Sequence, residues 1–325
     1  MKVHILDDWF DTLKTLPCFA KLDGHEVTVW TDHVEEVGQL APRLKDADAV
    51  VLFRERTAVT RELLEQLPNL KLISQRGVFP HVDVQACTDN NVLLCSKLPK
   101  GGAANYAASE LTWGLILAAM RQIPQQMQSL KAGEWQMGVG KSLRGRTLGL
   151  YGCGRIGQAV AELGKAFGMK VQWWGSDEGR ARAKAAGEVV PESREAFFAS
   201  SDVVSLHLRL VPETRGIITS SDFKAMRSDA VLVNTSRAGL IESGALLNAL
   251  NANEIEMAAV DVFDTEPLTD ASDELLSHPR LIGTPHIGFV TQDEFNKQFG
   301  DAFDQINAFA TAEPINMINP EVWKQ

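Results

Sequence analysis

Three segments in the second half of the chain place a reactive side chain just after an apolar run: Asn234-Thr235-Ser236-Arg237-Ala238-Gly239, Asp261-Val262-Phe263-Asp264-Thr265-Glu266-Pro267 and Thr284-Pro285-His286-Ile287-Gly288. An arginine, a carboxylate and an imidazole together suit carbonyl reduction. A planar, permanently charged guanidinium can hydrogen-bond a carboxylate and an adjacent carbonyl at once, polarising the carbonyl. Hydride reaching the carbonyl carbon leaves charge on oxygen, and a histidine can deliver the neutralising proton near neutral pH. A neighbouring carboxylate favours the imidazolium and fixes the ring. Arg237, His286 and Glu266 match these tasks in turn. Taken singly, each has an ordinary reading: a surface ion-pair partner, a loop-surface acid, a structural histidine. Their joint position after successive strands makes them a set.

The hydride calls for a carrier, and Tyr151-Gly152-Cys153-Gly154-Arg155-Ile156-Gly157 supplies a G-x-G-x-x-G turn between a strand and a helix. Gly152 permits the tight turn, Gly154 lets backbone amides approach a pyrophosphate, and Gly157 lets the helix pack on the strand. In this context the turn predicts dinucleotide binding. The following strand ordinarily ends in an acid that accepts hydrogen bonds from the adenosine ribose. Here Gly175 holds that position, followed by Ser176, Asp177 and Glu178. Without the carboxylate a 2′-phosphate is not repelled, and Ser176, Arg180 or Arg182 can contact it. The cofactor is thus expected to be NAD or NADP, with a slight lean to NADP. A displaced turn would let Asp177 reach a ribose, and Arg180, Arg182 and Lys184 also read as a solvated helix face.

The elements that position these segments fall into two series. Lys2–Leu6, Glu26–Trp30, Ala49–Phe53, Lys71–Ser74 and Val92–Cys95 read as strands alternating with helix-compatible stretches such as Arg61–Gln66. A breaker cluster, Leu98-Pro99-Lys100-Gly101-Gly102, suits a hinge. A helical stretch runs from Ala103 to about Lys131, and Pro124 should bend or break it. Then come strands at Thr147–Tyr151, Lys170–Trp174, Asp202–Leu208, Ala230–Thr235, Met257–Phe263 and Leu281–Thr284, nearly continuous apolar runs as in a covered parallel sheet. Phe295, Phe299, Phe303, Ile306 and Phe309 stripe a last helix, 291–311, expected to return to the first domain. The fold class is therefore α/β, with two doubly wound parallel-sheet domains. A Rossmann nucleotide domain (99–289) is inserted into a flavodoxin-like substrate domain (1–98 and 290–325).

At the Asn-Thr-Ser-Arg-Ala-Gly, Glu-Pro and Pro-His-Ile-Gly segments, in that order after the glycine-rich turn, the chain resembles the D-isomer-specific 2-hydroxyacid dehydrogenase family. The resemblance covers nearly the whole chain and leans to glyoxylate/hydroxypyruvate reductases, with phosphoglycerate dehydrogenases related. It implies that Arg237 binds substrate, His286 is the acid/base and Glu266 supports it. The implied reaction is reversible hydride transfer between NAD(P)H and a small 2-keto acid, giving the (R)-2-hydroxy acid. It further implies that Asp261 contacts the nicotinamide carboxamide. Arg155, Ile156, Leu208, Pro212 and Thr214 would line the cofactor cleft, with Thr235 and Gly288 among the cofactor-binding positions. Gln75-Arg76-Gly77-Val78 matches the loop whose amides hold the substrate carboxylate. Arg54 matches a substrate-side arginine of phosphoglycerate dehydrogenases, or else pairs with Glu55 or Glu62. Phe79 and Phe289 can shape an apolar pocket. The stretch with Trp113 and Trp135 corresponds to the family's dimer-forming region, so a homodimer is implied. The chain's ending at Gln325 leaves no room for the regulatory domain of many phosphoglycerate dehydrogenases, which favours glyoxylate, hydroxypyruvate or another short keto acid. Two alternatives stay open: an NAD(H)-sensing, non-enzymatic binding protein, and a formate dehydrogenase-like enzyme, whose family pairs its histidine with glutamine.

Bulk properties bound these readings. The 325 residues suggest about two domains, and 45% hydrophobic with 23% charged residues is ordinary for a folded protein. A formal net charge of −10 without basic runs argues against nucleic-acid or anionic-membrane partners. Leu111–Met120, the longest apolar stretch, is about half a bilayer crossing. Cys18, Cys87, Cys95 and Cys153 form no C-x-x-C pair, so neither metal nor disulfide framework is expected. No secretory signal opens the chain, which points to a cytoplasmic protein.

Overall fold

The structure, a computed structural model, describes residues 1–98 and 106–323. The chain divides into two compact units, Met1–Gly102 with Thr291–Gln325, and Ala103–Val290. The expected hinge beyond Leu98, and the expected helix start at Ala103, lie outside the described residues.

In the first unit five parallel strands, β1 (Lys2–Ile5), β2 (Glu26–Val29), β3 (Ala49–Val51), β4 (Leu72–Arg76) and β5 (Leu93–Lys97), stand in the order β2-β1-β3-β4-β5. This is the flavodoxin-like order, whose switch point lies between β1 and β3. On one face Leu44, Leu63 and Leu64 from two short helices pack with Ile73 and Leu94. On the other lies the Gln292–Ala310 helix, as its aromatic stripe predicts: Phe299 stacks on Phe53 at 4.7 Å and Ser74 Oγ donates to the Ala302 carbonyl at 2.8 Å. β4 and β5 each run two residues past their expected ends. Polar side chains can continue a buried strand when they find partners. Gln75 Nε2 donates to Ser96 Oγ at 3.3 Å, and Arg76 pairs with Asp301 at 2.7 Å.

The second unit holds β6 (Thr147–Tyr151), β7 (Lys170–Trp174), β8 (Val203–Leu206), β9 (Val231–Asn234), β10 (Met257–Val260) and β11 (Leu281–Gly283), all parallel, in the order β11-β10-β9-β8-β6-β7. A single parallel bridge between Gln172 and Val189 extends the edge beyond β7. That bridge occupies the third-strand position of a Rossmann sheet, so the switch point falls between β6 and β8. Trp113, Ile116 and Met120 cover one face together with the Arg155–Ala166 helix; Phe197, Phe198 and Phe223 cover the other. Among the described residues no helix is long and apolar enough to cross a membrane.

The helical stretch breaks two residues ahead of Pro124, into Tyr106–Arg121 and Ile123–Lys131, with Gln122 left-handed at φ 53°. A proline lacks the N–H that would bond the carbonyl four residues earlier and its ring crowds that carbonyl. Here that carbonyl, on Met120, accepts from the Lys141 amide at 2.7 Å instead. Trp113, on the stretch likened to the family's dimer-forming region, is buried: its indole donates to the Val160 carbonyl at 3.1 Å and its ring stacks on Phe167 at 4.8 Å.

Candidate active site

Parallel strands bring every loop after a carboxyl end to one edge of the second sheet. β6 delivers the glycine-rich turn there. Gly152 has φ +119°, and a Cβ on it would stand 2.3 Å from the His207 carbonyl oxygen; one on Gly157 would stand 2.5 Å from the Gly152 carbonyl oxygen. Both positions admit only glycine. At Gly154, the N-cap of the Arg155–Ala166 helix, a Cβ would meet nothing within 4 Å, and no side chain caps the helix. Helix amides opening onto clear space are what a pyrophosphate needs, so this turn fits a dinucleotide. Arg155 is exposed beside it and Ile156 is half-buried.

Neighbouring strand ends complete this half of the edge. Leu208, after β8, comes close to Gly152, and Thr214 folds its loop back by donating to the Arg209 carbonyl at 2.6 Å, just after Pro212. His207, immediately before Leu208, is held neutral, burial pushing its pKa down to about 4. After β7, Ser176 caps the next helix by accepting from the Gly179 amide at 3.2 Å. Arg180 donates to the Gly175 carbonyl at 2.8 Å, lies over Trp174 at 4.4 Å and pairs with Asp177. Of the three cationic side chains there, Arg180 is thus packed at the strand end rather than simply solvated.

The Arg237, Glu266 and His286 loops follow β9, β10 and β11, which are adjacent. His286 Nδ1 lies 2.5 Å from Glu266 Oε2, and Glu266 Oε1 accepts from the Phe263 amide at 2.9 Å. Desolvation alone would raise the Glu266 carboxyl. The hydrogen bonds from His286 and Phe263 and the charges of His286 and Arg237 outweigh it, so the pKa falls below the usual carboxylate value. His286 adopts φ 53°, a left-handed conformation uncommon outside glycine, and Phe289 sets its ring edge-on at 5.6 Å. Arg237 is exposed; it donates to its own neighbour's carbonyl, on Ser236, at 2.7 Å, and no carboxylate pairs with it among the described residues.

Polar residues behind these three hold the loops. Asp261 is 0% exposed. Its Oδ1 accepts from Thr284 Oγ1 at 2.5 Å and the Ile287 amide at 2.8 Å, and its Oδ2 from the Gly288 amide at 2.8 Å. Expected beside a nicotinamide, it clamps the histidine loop from within, directly after β10 ends at Val260. Burial raises its pKa despite those three bonds. Asn234 bonds the Ser236 amide and the Arg237 carbonyl, Ser236 Oγ reaches the Leu206 carbonyl, and Thr235 Oγ1 lies 2.7 Å from Thr112 Oγ1. Sequence reasoning passed over Thr112, Asn234, Ser236 and Thr284 in these positions. The Asn-x-Ser run at a strand end was the available sign of an Asx-type turn.

The first unit's carboxyl edge is built separately. Gly77 has φ +106°, but its amide donates to the Lys97 carbonyl at 3.1 Å, continuing the β4–β5 ladder. Gln75 and Arg76 belong to β4, so the expected amide loop shrinks to Val78 and its successors in the chain. Val78 is 51% exposed, and its amide finds no protein acceptor among the described residues. Phe79 turns toward the core. Arg54, after β3, is left-handed at φ 62°.

Residues 113–288 match the model of the D-isomer specific 2-hydroxyacid dehydrogenase NAD binding domain. The chain belongs to the D-isomer-specific 2-hydroxyacid dehydrogenase family. It is an NAD(P)-dependent oxidoreductase acting on CH–OH groups. A glyoxylate reductase of Aeropyrum pernix is 34% identical over 92% of this chain and 91% of its own. A D-3-phosphoglycerate dehydrogenase of Methanocaldococcus jannaschii is 38% identical over 82% of this chain, but only 50% of its own. The chain thus spans about half the length of that relative. A solved phosphoglycerate oxidoreductase from Vibrio cholerae superposes with a TM-score of 0.87 at 44% identity, over 96% of this chain and 99% of the other. This dehydrogenase therefore shares both sheets with its relatives, and the matched domain makes it an NAD(H) binder.

Proposed function

We propose that the chain reversibly reduces a small 2-keto acid to the (R)-2-hydroxy acid, with Arg237, Glu266 and His286 as its catalytic set. The observation that carries this is the 2.5 Å contact between His286 Nδ1 and Glu266 Oε2, one strand away from an exposed, carboxylate-free Arg237. Bound NAD(P)H would supply the hydride. Arg237 would bind the substrate carboxylate and polarise the C2 carbonyl. With Nδ1 fixed by Glu266, His286 presents Nε2 to give a proton to the C2 oxygen in reduction and to take it back in oxidation. Gly152, Gly154, Arg155, Ile156 and Gly157 would hold the pyrophosphate, with Leu208, Pro212, Thr214, Thr235 and Gly288 along the rest of the cofactor. Asp261 would act behind them. Arg54, Gly77 and Val78 are proposed as substrate-binding residues of the substrate domain, 1–98 with 290–325, and 99–289 as the cofactor domain. The relatives' names place glyoxylate and hydroxypyruvate among the acids to try first.

Either nicotinamide cofactor is proposed, with NADP slightly preferred. Support comes from the missing carboxylate at Gly175 and the Arg180 guanidinium at the same strand end, near Ser176. A screen of short 2-keto acids with NADH and NADPH, followed at the reduced-nicotinamide absorbance, tests both parts. Turnover of at least one acid is expected, with the higher kcat/KM for NADPH. Oxidation of neither cofactor by any acid would refute the activity, and a clear NADH preference would refute the cofactor choice.

The proton inventory also sets a pH dependence. Reduction needs His286 protonated, so kcat/KM for the keto acid should fall as pH rises past neutrality, while that for the hydroxy acid rises. Because its pKa is lowered, Glu266 stays ionised across this range and favours the imidazolium. Glu266→Gln should move the reduction limb to lower pH and cut kcat about 10-fold. Unchanged pH profiles in that variant would contradict the role given to Glu266.

A cytoplasmic homodimer is proposed as the working form. The four cysteines are unpaired thiols, as a reducing compartment allows. Ile123, Met127, Leu130, Trp135 and Val139, within one stretch of the chain, are exposed, Trp135 by 75%, and grouped apolar exposure marks interaction surfaces.

A further inference from the structure

The helix after β7, Asp177–Ala185, carries two opposite charges in its first turn and is packed on the glycine-rich turn. The Gly152 amide donates to the Trp174 carbonyl at 2.8 Å, and a Cβ on Gly175 would lie 3.8 Å from both N and Cα of Gly152. A Cβ on Gly179, in the helix's first turn, would meet the Cys153 side chain at 3.7 Å. The start of this helix therefore adjoins the turn fitted to a pyrophosphate, where the adenosine ribose of a dinucleotide follows. Arg180 reaches back to the Gly175 carbonyl at 2.8 Å and rests on the Trp174 ring, which holds its guanidinium at the strand end. Its other terminal nitrogen pairs with Asp177, three residues earlier. Arg182 instead lines a cleft with Gln158, Glu162 and Lys165 of the preceding helix.

The Asp177 side chain is 92% exposed. An ion pair so open to water is worth little and exchanges readily. A 2′-phosphate, nearly doubly charged at neutral pH, offers the guanidinium a stronger acceptor than such a carboxylate. The same carboxylate repels a phosphate but accepts from a ribose hydroxyl. We propose that Asp177 and Arg180 together select the cofactor. Arg180 exchanges Asp177 for the 2′-phosphate of NADP(H), while Asp177 opposes that phosphate and serves the 2′-hydroxyl of NAD(H). This rests on the binding of either nicotinamide cofactor proposed for the chain.

The test measures dissociation constants of the full chain for NADPH and NADH by fluorescence titration, without substrate. Asp177→Asn, a change at an exposed position, should tighten NADPH about 3- to 10-fold and leave NADH equal or weaker. Arg180→Gln should weaken NADPH about 10- to 100-fold more than NADH. Arg180→Lys keeps the charge and loses the fork, so its effect should fall between. An unchanged ratio of the two constants in Asp177→Asn would overturn the proposal. Equal losses for both cofactors in Arg180→Gln would also overturn it and make Arg180 a prop for the strand end alone. A wild-type preference for NADH, with the ratio still moving in both variants, would support the pair as selector while refuting the preference for NADP. Wild-type protein that binds neither cofactor would instead overturn the reading beneath it.

Discussion

Replacing His286 with alanine is expected to lower kcat by about 10²- to 10⁴-fold, the range for removing a general acid. The dissociation constant for reduced cofactor, measured by fluorescence titration, should stay within about two-fold, because the glycine-rich turn holding the pyrophosphate lies at the end of another strand. His286 occupies a left-handed position that alanine tolerates poorly, so His286→Asn, which adopts this conformation more readily, separates strain from chemistry. Both variants should be slow to a similar degree. Near-normal turnover in either would remove His286 from the mechanism. Tight cofactor binding by a wild-type protein that turns over no keto acid would favour a sensing role for the same fold.

Arg237 is expected to matter most at kcat/KM. Arg237→Gln removes both the anchor for the carboxylate and the charge beside the carbonyl, and a loss of about 10³-fold or more is expected in kcat/KM for reduction. Arg237→Lys keeps the charge and loses the fork geometry, so a loss nearer 10²-fold is expected. Since Arg237 is exposed and, among the described residues, its guanidinium donates only to the adjacent carbonyl, neither change should move the thermal midpoint by more than about 2 °C. A lysine variant with wild-type kinetics would show that positive charge alone suffices. A large fall in melting temperature would make Arg237 a structural residue.

The order of elements was readable because parallel strands covered on both faces appear as unbroken apolar runs, and because the glycines of the turn leave a pattern that few other structures require. The three catalytic candidates were readable for the same reason: each comes directly after such a run. Less legible was everything decided by partners distant in sequence. Gln75 and Arg76 look like loop residues until Ser96 and Asp301 are placed beside them. Nothing in the sequence shows that Trp113 is enclosed by Val160 and Phe167. The third Rossmann strand could not be seen because it survives only as the bridge at Val189. Asp261 carried a role borrowed from likeness, and only its three donors, 23 to 27 positions away, reveal the clamp.

That clamp bears on when the proposed acid/base pair becomes ordered. Asp261 hangs from β10, the strand that also leads to Glu266, while its donors lie on the loop that bears His286. One buried carboxylate thus braces both members of the pair against each other. The imidazole's rotational freedom is surrendered once, when the chain folds, rather than at each encounter with substrate. Under the proposed mechanism, binding energy from the keto acid would then be free to act on the carbonyl itself, and a core residue 0% exposed to solvent would become part of what sets the rate.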